Sequence, residues 1–380
     1  MARTVTGAVL IVAIALPGGP VLAEGKWEVT AASEAAAELG LKWLARNQGK
    51  EGNWDSKDLG LVSVGALAFL SAGHTTETGK YRQSVRRALD YVLINAKPSG
   101  LLNIAGGGRD MYNHGLSTFV LTQAYGMTND RRIGLALRKA IKVIVDTQCR
   151  DGGWDYHARR QERGHDLSLA VMQAKALRGA MDIGIHIPRQ TITMAVKSVQ
   201  GYYRSSRSNP DGEAKKHGWH HDLARYPGRF TYSGGGSTTA MAAAGAVCLQ
   251  EFGRYGDFRI YRSMQGVLDD IKNRMRTEPG KVPFDAYTMY YLSQALYQVG
   301  GKQWRDTYPR IRKALVASQS RVGGSWAGGR VGGKPGQLFG TAVAVFALNI
   351  PNRYLPILQQ PQRRPRIRST GRAMKTAKAP

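Results

Sequence analysis

Seven side chains suited to acid–base or hydrogen-bonding chemistry stand in polar segments just before apolar, helix-like runs. They are Asp110, Tyr112 and His114 in "RDMYNHG", Asp155, Tyr156 and Asp166 in "WDYHARRQERGHD", and Tyr232 in "TYSGGG". Carboxylates, His and Tyr are the usual general acids and bases. A pair of the three aspartates would suit glycoside hydrolysis. For Asp166, capping the helix that follows it is the preferred interpretation.

A second candidate site is a histidine group in "KHGWHH". His217, His220 and His221 have the side-chain type that transition metals prefer, but only Asp222 stands beside them as a further ligand. A solvated basic loop on one long link is the preferred interpretation, and no metal is predicted. No cofactor is predicted from this segment or from the rest of the chain.

The elements that position these residues follow from apolar periodicity. One set of predicted helices carries charges on one face and spans residues 31–46, 80–96, 131–148, 190–205, 258–275 and 307–319. A second set, almost free of charge, alternates with it and spans 61–71, 115–125, 166–180, 237–252, 286–299 and 339–348. Amphipathic helices outside and charge-free helices inside predict an all-α fold, an α/α toroid of six helical hairpins.

This arrangement predicts where the candidate residues meet. The N-termini of the inner helices converge on one mouth of a toroid, where helix dipoles favour anions. All seven candidate residues precede or begin inner helices, so we expect them to cluster at that mouth. Ser237 is expected nearby as a helix cap, and Tyr287, Tyr290 and Tyr291 are expected to line or fill the interior.

Three segments share the spacing Gln-x-x-x-Gly-x-Trp, the third with one extra residue. They are "QGKEGNW" (Gln48 to Trp54), "QCRDGGW" (Gln148 to Trp154) and "QSRVGGSW" (Gln319 to Trp326). Each follows an outer helix and precedes an inner one. Gly can end a helix in the left-handed conformation, Gln can bond free backbone groups, and Trp can cover a seam between repeats. A structural role is therefore predicted for them.

With these segments the chain resembles the prenyltransferase and squalene-oxidase repeat family, whose QW motifs tie neighbouring helices of a terpenoid cyclase-like toroid. The resemblance covers most of residues 30–350. It does not extend to the family's chemistry, because the Asp-x-Asp-Asp acid of the cyclases and the Cys-Gly-Glu-Gln run of the thioester domains are missing. Cys149 and Cys248 also lack the aspartate of the prenyltransferase zinc site. "MYNHGLSTFVLTQAYGMTND" and "MYYLSQALYQVGGKQW" look most like secreted bacterial members without assigned activity.

The two ends of the chain differ in composition from the body. Residues 1–23 have the n-region, apolar run and small-residue end of a signal peptide, predicted to be cleaved after about Ala23. Residues 24–355 form the predicted toroid, and 356–380 a basic, disordered tail. The net charge is +27, and +19 of it lies on residues 24–358. Whether Cys149 and Cys248 pair is left open.

The net positive charge and the predicted export limit the range of possible functions. A secreted or periplasmic basic protein favours an anionic envelope polymer, lipid head groups or an acidic protein as partner, and export separates it from nucleic acid. The sequence predicts a non-catalytic binding or scaffold toroid of the envelope, also suited to an apolar, isoprenoid-like ligand. The alternative is an enzyme, either a divergent isoprenoid-processing protein or a glycan-degrading α/α barrel.

Overall fold

Helices alternate between an outer and an inner position along the whole described part of the chain. A computed structural model describes residues 26–205, 228–329 and 333–359. In chain order, with odd numbers outer and even numbers inner, its α-helices are α1 (Ala31–Arg46), α2 (Leu59–Ser71), α3 (Arg82–Ile94), α4 (Asp110–Thr128), α5 (Arg131–Asp146), α6 (Leu167–Asp182), α7 (Arg189–Gly201), α8 (Thr239–Glu251), α9 (Phe258–Thr277), α10 (Ala286–Val299), α11 (Gly301–Ser318) and α12 (Gly333–Asn349). The antiparallel strands β1 (Tyr203–Ser205) and β2 (Gly228–Phe230) lie between α7 and α8.

The inner helices form a closed ring. Each packs against the inner helix before it and the one after it, from α2 to α12, and α12 packs back against α2. Outside the ring, α1 contacts both α11 and α12, so the first and last hairpins are neighbours. The described helices therefore form an α/α toroid of six hairpins, and the predicted fold class is confirmed.

Burial follows the charge pattern of the two sets. The outer helix α5 buries a stripe of Ile133, Leu137, Ile141 and Ile144 and leaves its charged face in solvent. The inner helix α2 has neighbours on every side, and Leu61 is its one residue that is not buried. Full burial of an aliphatic side chain contributes about 1.5–3 kcal/mol. The charge-free helices therefore belong in the ring interior.

The segment from Gln148 to Trp154 joins two outer helices. Gln148 Nε2 donates to the carbonyl oxygen of Gly152 (3.0 Å) and to that of Thr191 (3.0 Å) in α7. Trp154 Nε1 donates to the carbonyl oxygen of Ile144 in α5, at 2.8 Å. Both side chains are buried, so each hydrogen bond satisfies a carbonyl that water does not reach. The segment thus fixes the end of α5 to the start of α7.

The other two segments repeat this geometry with their own neighbours. The glutamine bonds one carbonyl in its own link and one in the next outer helix, and the tryptophan bonds a carbonyl near the end of its own outer helix. The acceptors are Gly52, Ser84 (α3) and Leu44 (α1) for Gln48 and Trp54, and Gly324, Ala36 (α1) and Leu315 (α11) for Gln319 and Trp326. The third segment therefore closes the ring, because it joins the last outer helix to the first.

A glycine in these links allows the close approach of the next outer helix. Gly152 has φ +91°, and a Cβ there would lie 2.1 Å from the carbonyl oxygen of Met194 in α7. Gly100 does the same between α3 and α5, with φ +93° and a Cβ that would lie 2.6 Å from Lys139 Cβ. The link around Gly100 has Ala96 and Leu102 where the other links have Gln and Trp. It is a copy of the same turn without the two hydrogen-bonding side chains.

The C-terminal end of the inner ring is covered by the last described residues. Pro356–Leu358 form a 3-10 turn whose Ile357 and Leu358 are buried. Tyr297 Oη donates to the carbonyl oxygen of Leu358 (3.1 Å), and the Ile357 amide donates to Gln123 Oε1 (3.0 Å). The first residues of the predicted tail are thus part of the toroid. The predicted signal peptide and residues 360–380 lie outside the described residues.

The links differ greatly between the two ends of the toroid. On the covered end, Asn129 and Asp130 alone connect α4 to α5, and Gly300 alone connects α10 to α11. On the opposite end the links are longer, and they include residues 47–58, 95–109 and 147–166. We call that end the mouth. Among the described helices, none is both long and apolar enough to cross a membrane.

Candidate functional site

Five tyrosines gather at the mouth around one buried carboxylate. Tyr112 lies in α4, Tyr287 and Tyr291 in α10, and Tyr156 and Tyr232 in the links before α6 and α8; we call these the tyrosine cluster. The carboxylate is that of Asp166, the residue that caps α6. The cluster thus joins side chains from two inner helices and two links, around the residue that caps a third inner helix.

Asp166 accepts hydrogen bonds on both carboxylate oxygens. Oδ1 accepts from the Ser168 amide (2.8 Å), the Ser168 hydroxyl (2.6 Å) and the Leu169 amide (3.2 Å). Oδ2 lies 2.9 Å from His165 Nδ1. Burial favours the neutral acid, but hydrogen bonds from Ser168, Tyr232, His165 and Tyr156 outweigh it and hold the pKa of Asp166 below its ordinary value. This carboxylate therefore stays ionised and serves as an anchor for its donors.

Tyr156 and Tyr232 form the solvent-facing part of the cluster. Their hydroxyl oxygens are 2.8 Å apart, and Tyr232 is 39% exposed. The ring of Tyr156 also makes an edge contact with the His165 ring, at 4.7 Å between centroids. Burial raises the pKa of both phenols, and the nearby Asp166 carboxylate raises it further. Both tyrosines are neutral near pH 7 and act as hydrogen-bonding groups rather than bases.

The deeper tyrosines form the floor beneath this pair. The Tyr287 and Tyr291 rings meet edge to face at 5.0 Å, and Tyr291 meets Tyr290 at 5.2 Å. Burial holds the pKa of Tyr112 and of Tyr291 well above the ordinary value. Tyr290 and Tyr291 are almost fully buried, so they fill the ring interior.

His114 does not line the mouth, contrary to the sequence prediction. It is fully buried on the side of α4 that faces α5. The Leu102 amide donates to its Nδ1 (3.0 Å), which leaves Nε2 to donate to the carbonyl oxygen of Ala140 (3.0 Å). Burial lowers the pKa of His114 to about 4. The ring is therefore neutral and holds the link after α3 against α5.

Asp110 and Asp155 lie at the mouth and order the link before α6. Asp110 Oδ1 accepts from the Asn103 side-chain amide (2.8 Å), and its Oδ2 accepts from the Ala158 amide (3.4 Å). Asp155 Oδ1 accepts from the His157 amide at 2.9 Å. The two carboxylates thus bond the consecutive amides of residues 157 and 158. Of the seven predicted residues, six are placed at the mouth and His114 is not.

The metal and thiol predictions have different outcomes. His217, His220 and His221 lie outside the described residues, and within the described ranges no three His, Cys, Asp or Glu side chains group as metal ligands. Cys149 and Cys248 are both buried and both free thiols. The pKa of each is raised by burial, so both are protonated and pack as small apolar groups.

A buried polar group inside the ring was missed by the sequence interpretation. Lys175 of α6 is 1% exposed, and its Nζ lies 3.3 Å from Glu251 Oε1 of α8. The same ammonium donates to Gln294 Oε1 of α10 and lies 4.3 Å from the centroid of the Phe119 ring. The sequence does contain a sign of this group, since Lys175 is a cation in the middle of a helix of the charge-free set. Apolar periodicity is a local pattern, so it does not show that Lys175 pairs with Glu251, which is distant in the sequence.

We expect Asp166→Asn to lower the free energy of unfolding by about 1–2 kcal/mol near pH 6, because it weakens the charge-assisted bonds to Ser168 and Leu169. The folded-state pKa of Asp166 lies below its unfolded value. Its contribution is therefore present above the unfolded pKa and lost as the pH falls through the folded pKa. Urea unfolding of both proteins across pH 3–6 should show the difference shrinking with acid. A difference that stays constant, or that Asp146→Asn on exposed α5 reproduces, would contradict this role.

Comparison with known proteins agrees on the architecture and nothing finer. No protein-family model matches the chain, and no curated protein matches it. The solved structures that are similar in fold include the following three. One is a type II terpene cyclase from Scytonema in complex with geranylgeranyl dihydroxybenzoate, at TM-score 0.53 and 12% identity over 85% of this chain and 98% of that one.

The other two are proteins named for saccharides. The GH76 α-mannanase BT2949 from Bacteroides thetaiotaomicron has a TM-score of 0.56 and 9% identity, over 84% of this chain and 96% of that one. A D-mannose isomerase has a TM-score of 0.54 and 11% identity, over 86% of this chain and 99% of that one. At such low sequence identities, structural similarity shows a shared fold and nothing about activity. The chain is similar to α/α toroid proteins of several activities.

Proposed function

We propose that this protein is a binding toroid without catalytic chemistry of its own, and that its tyrosine cluster binds a saccharide unit of an envelope polymer. The observation that carries the proposal is the partly exposed hydroxyl pair of Tyr156 and Tyr232 beside the fully bonded carboxylate of Asp166. Aromatic rings with hydroxyls suit a ligand that has both apolar faces and hydroxyl groups. A saturated, ionised carboxylate positions such rings but has no proton to give.

The setting of the site supports this proposal. The far end of the ring is covered by Pro356–Leu358, so a ligand reaches the ring from the mouth. Two of the similar folds belong to proteins named for mannan and mannose, which is analogy of fold and no more. We also propose that the chain is exported after cleavage near Ala23. The shared hydrogen-bond geometry of its three Gln and Trp segments supports membership of the prenyltransferase and squalene-oxidase repeat family.

Binding can be tested on the full chain with a glycan array of neutral and acidic oligosaccharides. We expect a set of glycans to bind, and Tyr232→Ala and Tyr156→Ala each to weaken the best of them about tenfold, since an aromatic contact contributes about 1 kcal/mol or more. Tyr232→Phe keeps the ring and should lose less. Tyr354→Ala is the matched control, because Tyr354 is 49% exposed and follows α12 at the covered end. An array without binders, or equal loss in the control, contradicts the proposal.

A second function is favoured by one observation, the placing of Asp110 and Asp155 on consecutive amides of a single link. Glycoside hydrolysis requires a pair of carboxyl groups, and Asp110 and Asp155 both bond to this link. In that case glycans bound on the array would be cleaved, and Asp155→Asn would abolish cleavage while binding remained. The terpene cyclase likeness provides a third outcome. Binding of geranylgeraniol in place of glycans would favour the isoprenoid-like ligand.

A further inference from the structure

Most of the net positive charge of the described residues lies on the outer helices. Of these, α5 and α11 each carry five basic residues against one acidic residue, α9 five against two, α3 three against one, and α7 two against none. The helix α1 is balanced, with two of each sign. The inner helices α2 and α10 have no charged residue. Five of six outer helices thus form what we call the basic belt.

Most cations of the belt stand in rows along the exposed helix faces, whereas Arg259 of α9 is buried. On α5, Arg131, Arg138 and Lys142 are exposed and recur at spacings of seven and four residues, which places them on one face. Arg138 and its neighbour Lys139 have no ion-pair partner within the described residues. At about 1.5 Å per residue, the row from Arg131 to Lys142 runs about 16 Å along the helix.

The same pattern recurs on the opposite side of the ring. On α11, Lys302, Arg305, Arg310 and Lys313 are exposed. Lys302 pairs with Asp306, whereas Arg310 and Lys313 have no carboxylate partner in the described ranges. With six outer helices in chain order around a closed ring, α5 and α11 lie diametrically across from each other. Positive charge therefore lies on opposite sides of the ring and is not confined to one side.

We propose that the basic belt binds a flexible, linear acidic polysaccharide that runs around the circumference of the toroid. A flat bilayer touches one flank of a ring and would leave the opposite rows unused. Duplex nucleic acid has a persistence length of about 150 bp and does not bend around a ring of this size. Arginine supplies most of the belt's cations, and its planar fork matches carboxylates in pairs. The belt is separate from the mouth, so this inference does not depend on the mouth ligand.

The test uses the full chain with polygalacturonate as the acidic polymer and dextran as its neutral counterpart. Arg138→Gln with Lys139→Gln removes two charges from α5, and Arg310→Gln with Lys313→Gln removes two from α11. Each double variant should weaken polygalacturonate binding roughly tenfold at low salt, and the two together should weaken it by about the product. Dextran should not bind at any ionic strength.

The matched control is Lys50→Gln with Lys57→Gln, which removes two exposed charges from the link between α1 and α2 at the mouth. It has the same net charge as each belt variant and should bind polygalacturonate as the original chain does. Equal weakening in this control would mean that net charge alone governs binding. If only one belt variant bound polygalacturonate more weakly, and the original chain bound vesicles of anionic phospholipid more tightly than polygalacturonate, one side of the ring would face a membrane and the proposal would be wrong. Absence of polygalacturonate binding would also overturn the proposal.

Discussion

Replacing Lys175 by methionine is expected to lower the free energy of unfolding by about 3–5 kcal/mol, although the two side chains are similar in length. Lys175 and Glu251 are both almost fully buried, and Nζ to Oε1 is 3.3 Å. Without the ammonium, the Glu251 carboxylate stays inside the ring and loses its ion-pair partner, and the more distant Arg178 is the opposite charge that still acts on it. Burial already lowers the pKa of Lys175, and the nearby Glu251 counteracts this. The loss of unfolding free energy in this variant is therefore due to the buried Glu251 carboxylate without its ion-pair partner.

A double variant separates this explanation from loss of packing. Lys175→Met with Glu251→Gln removes both charges and should recover much of the loss, because replacing a buried ion pair by neutral groups is often close to neutral. Lys142→Met is the control, since it breaks an exposed pair with Asp146 on α5 and should cost at most about 1 kcal/mol. Urea midpoints and slopes measure all three. If the double variant were no more stable than Lys175→Met, the ion pair would not be the cause.

The alternation of charged and charge-free helices was predictable because the ring itself imposes it. An inner helix has neighbours on all sides and tolerates few charges, whereas an outer helix buries one stripe. The apolar residues Ile133, Leu137, Ile141 and Ile144 recur at helical spacing in the sequence, and they are the buried stripe of α5. Predicted and observed limits agree within two residues at both ends of α1, α8 and α10. This part of the fold depends on local composition, which the sequence displays directly.

Two inner helices, α4 and α12, start five and six residues before their predicted starts at the mouth, and the error at His114 follows from the first of these. The sequence predicts an inner helix from residue 115, which leaves residues 110–114 free to face the mouth. The structure begins α4 at Asp110. At about 100° per residue, positions 112 and 114 are about 200° apart on a helix. When Tyr112 faces the ring interior, His114 must therefore face α5.

Tertiary packing also extended α11 beyond what the sequence predicts. The predicted start at residue 307 places Pro309 in the first turn, where proline is tolerated. The structure begins α11 at Gly301 and carries it through Pro309. Trp304 lies in this added part: its ring stacks on that of Tyr308 at 4.1 Å, and its Nε1 donates to buried Glu28 at 2.5 Å. Contacts with a residue so distant in sequence cannot be seen in a local pattern.

Trp326→Ala at the closing seam is expected to cost about as much as Trp154→Ala in the middle of the chain, roughly 3–5 kcal/mol each. Both indoles are buried, and each donates from Nε1 to a carbonyl of its own outer helix at 2.8 Å. In an open helical array the terminal interface holds one end repeat, so its loss is cheaper than loss of a central one. A closed ring has no terminal interface. Equal cost is therefore the energetic signature of closure.

Urea unfolding of the two alanine variants and of Trp154→Phe measures this expectation. Phenylalanine keeps an aromatic ring but leaves the carbonyl of Ile144 without its donor, so it should cost about 1–3 kcal/mol, less than alanine at the same site. A Trp326→Ala cost well below that of Trp154→Ala would mean that the contact of α1 with α11 and α12 contributes little. The toroid would then behave as an open array in solution. With equal costs, the three Gln and Trp segments are equivalent seams of one ring, despite the extra residue in the last.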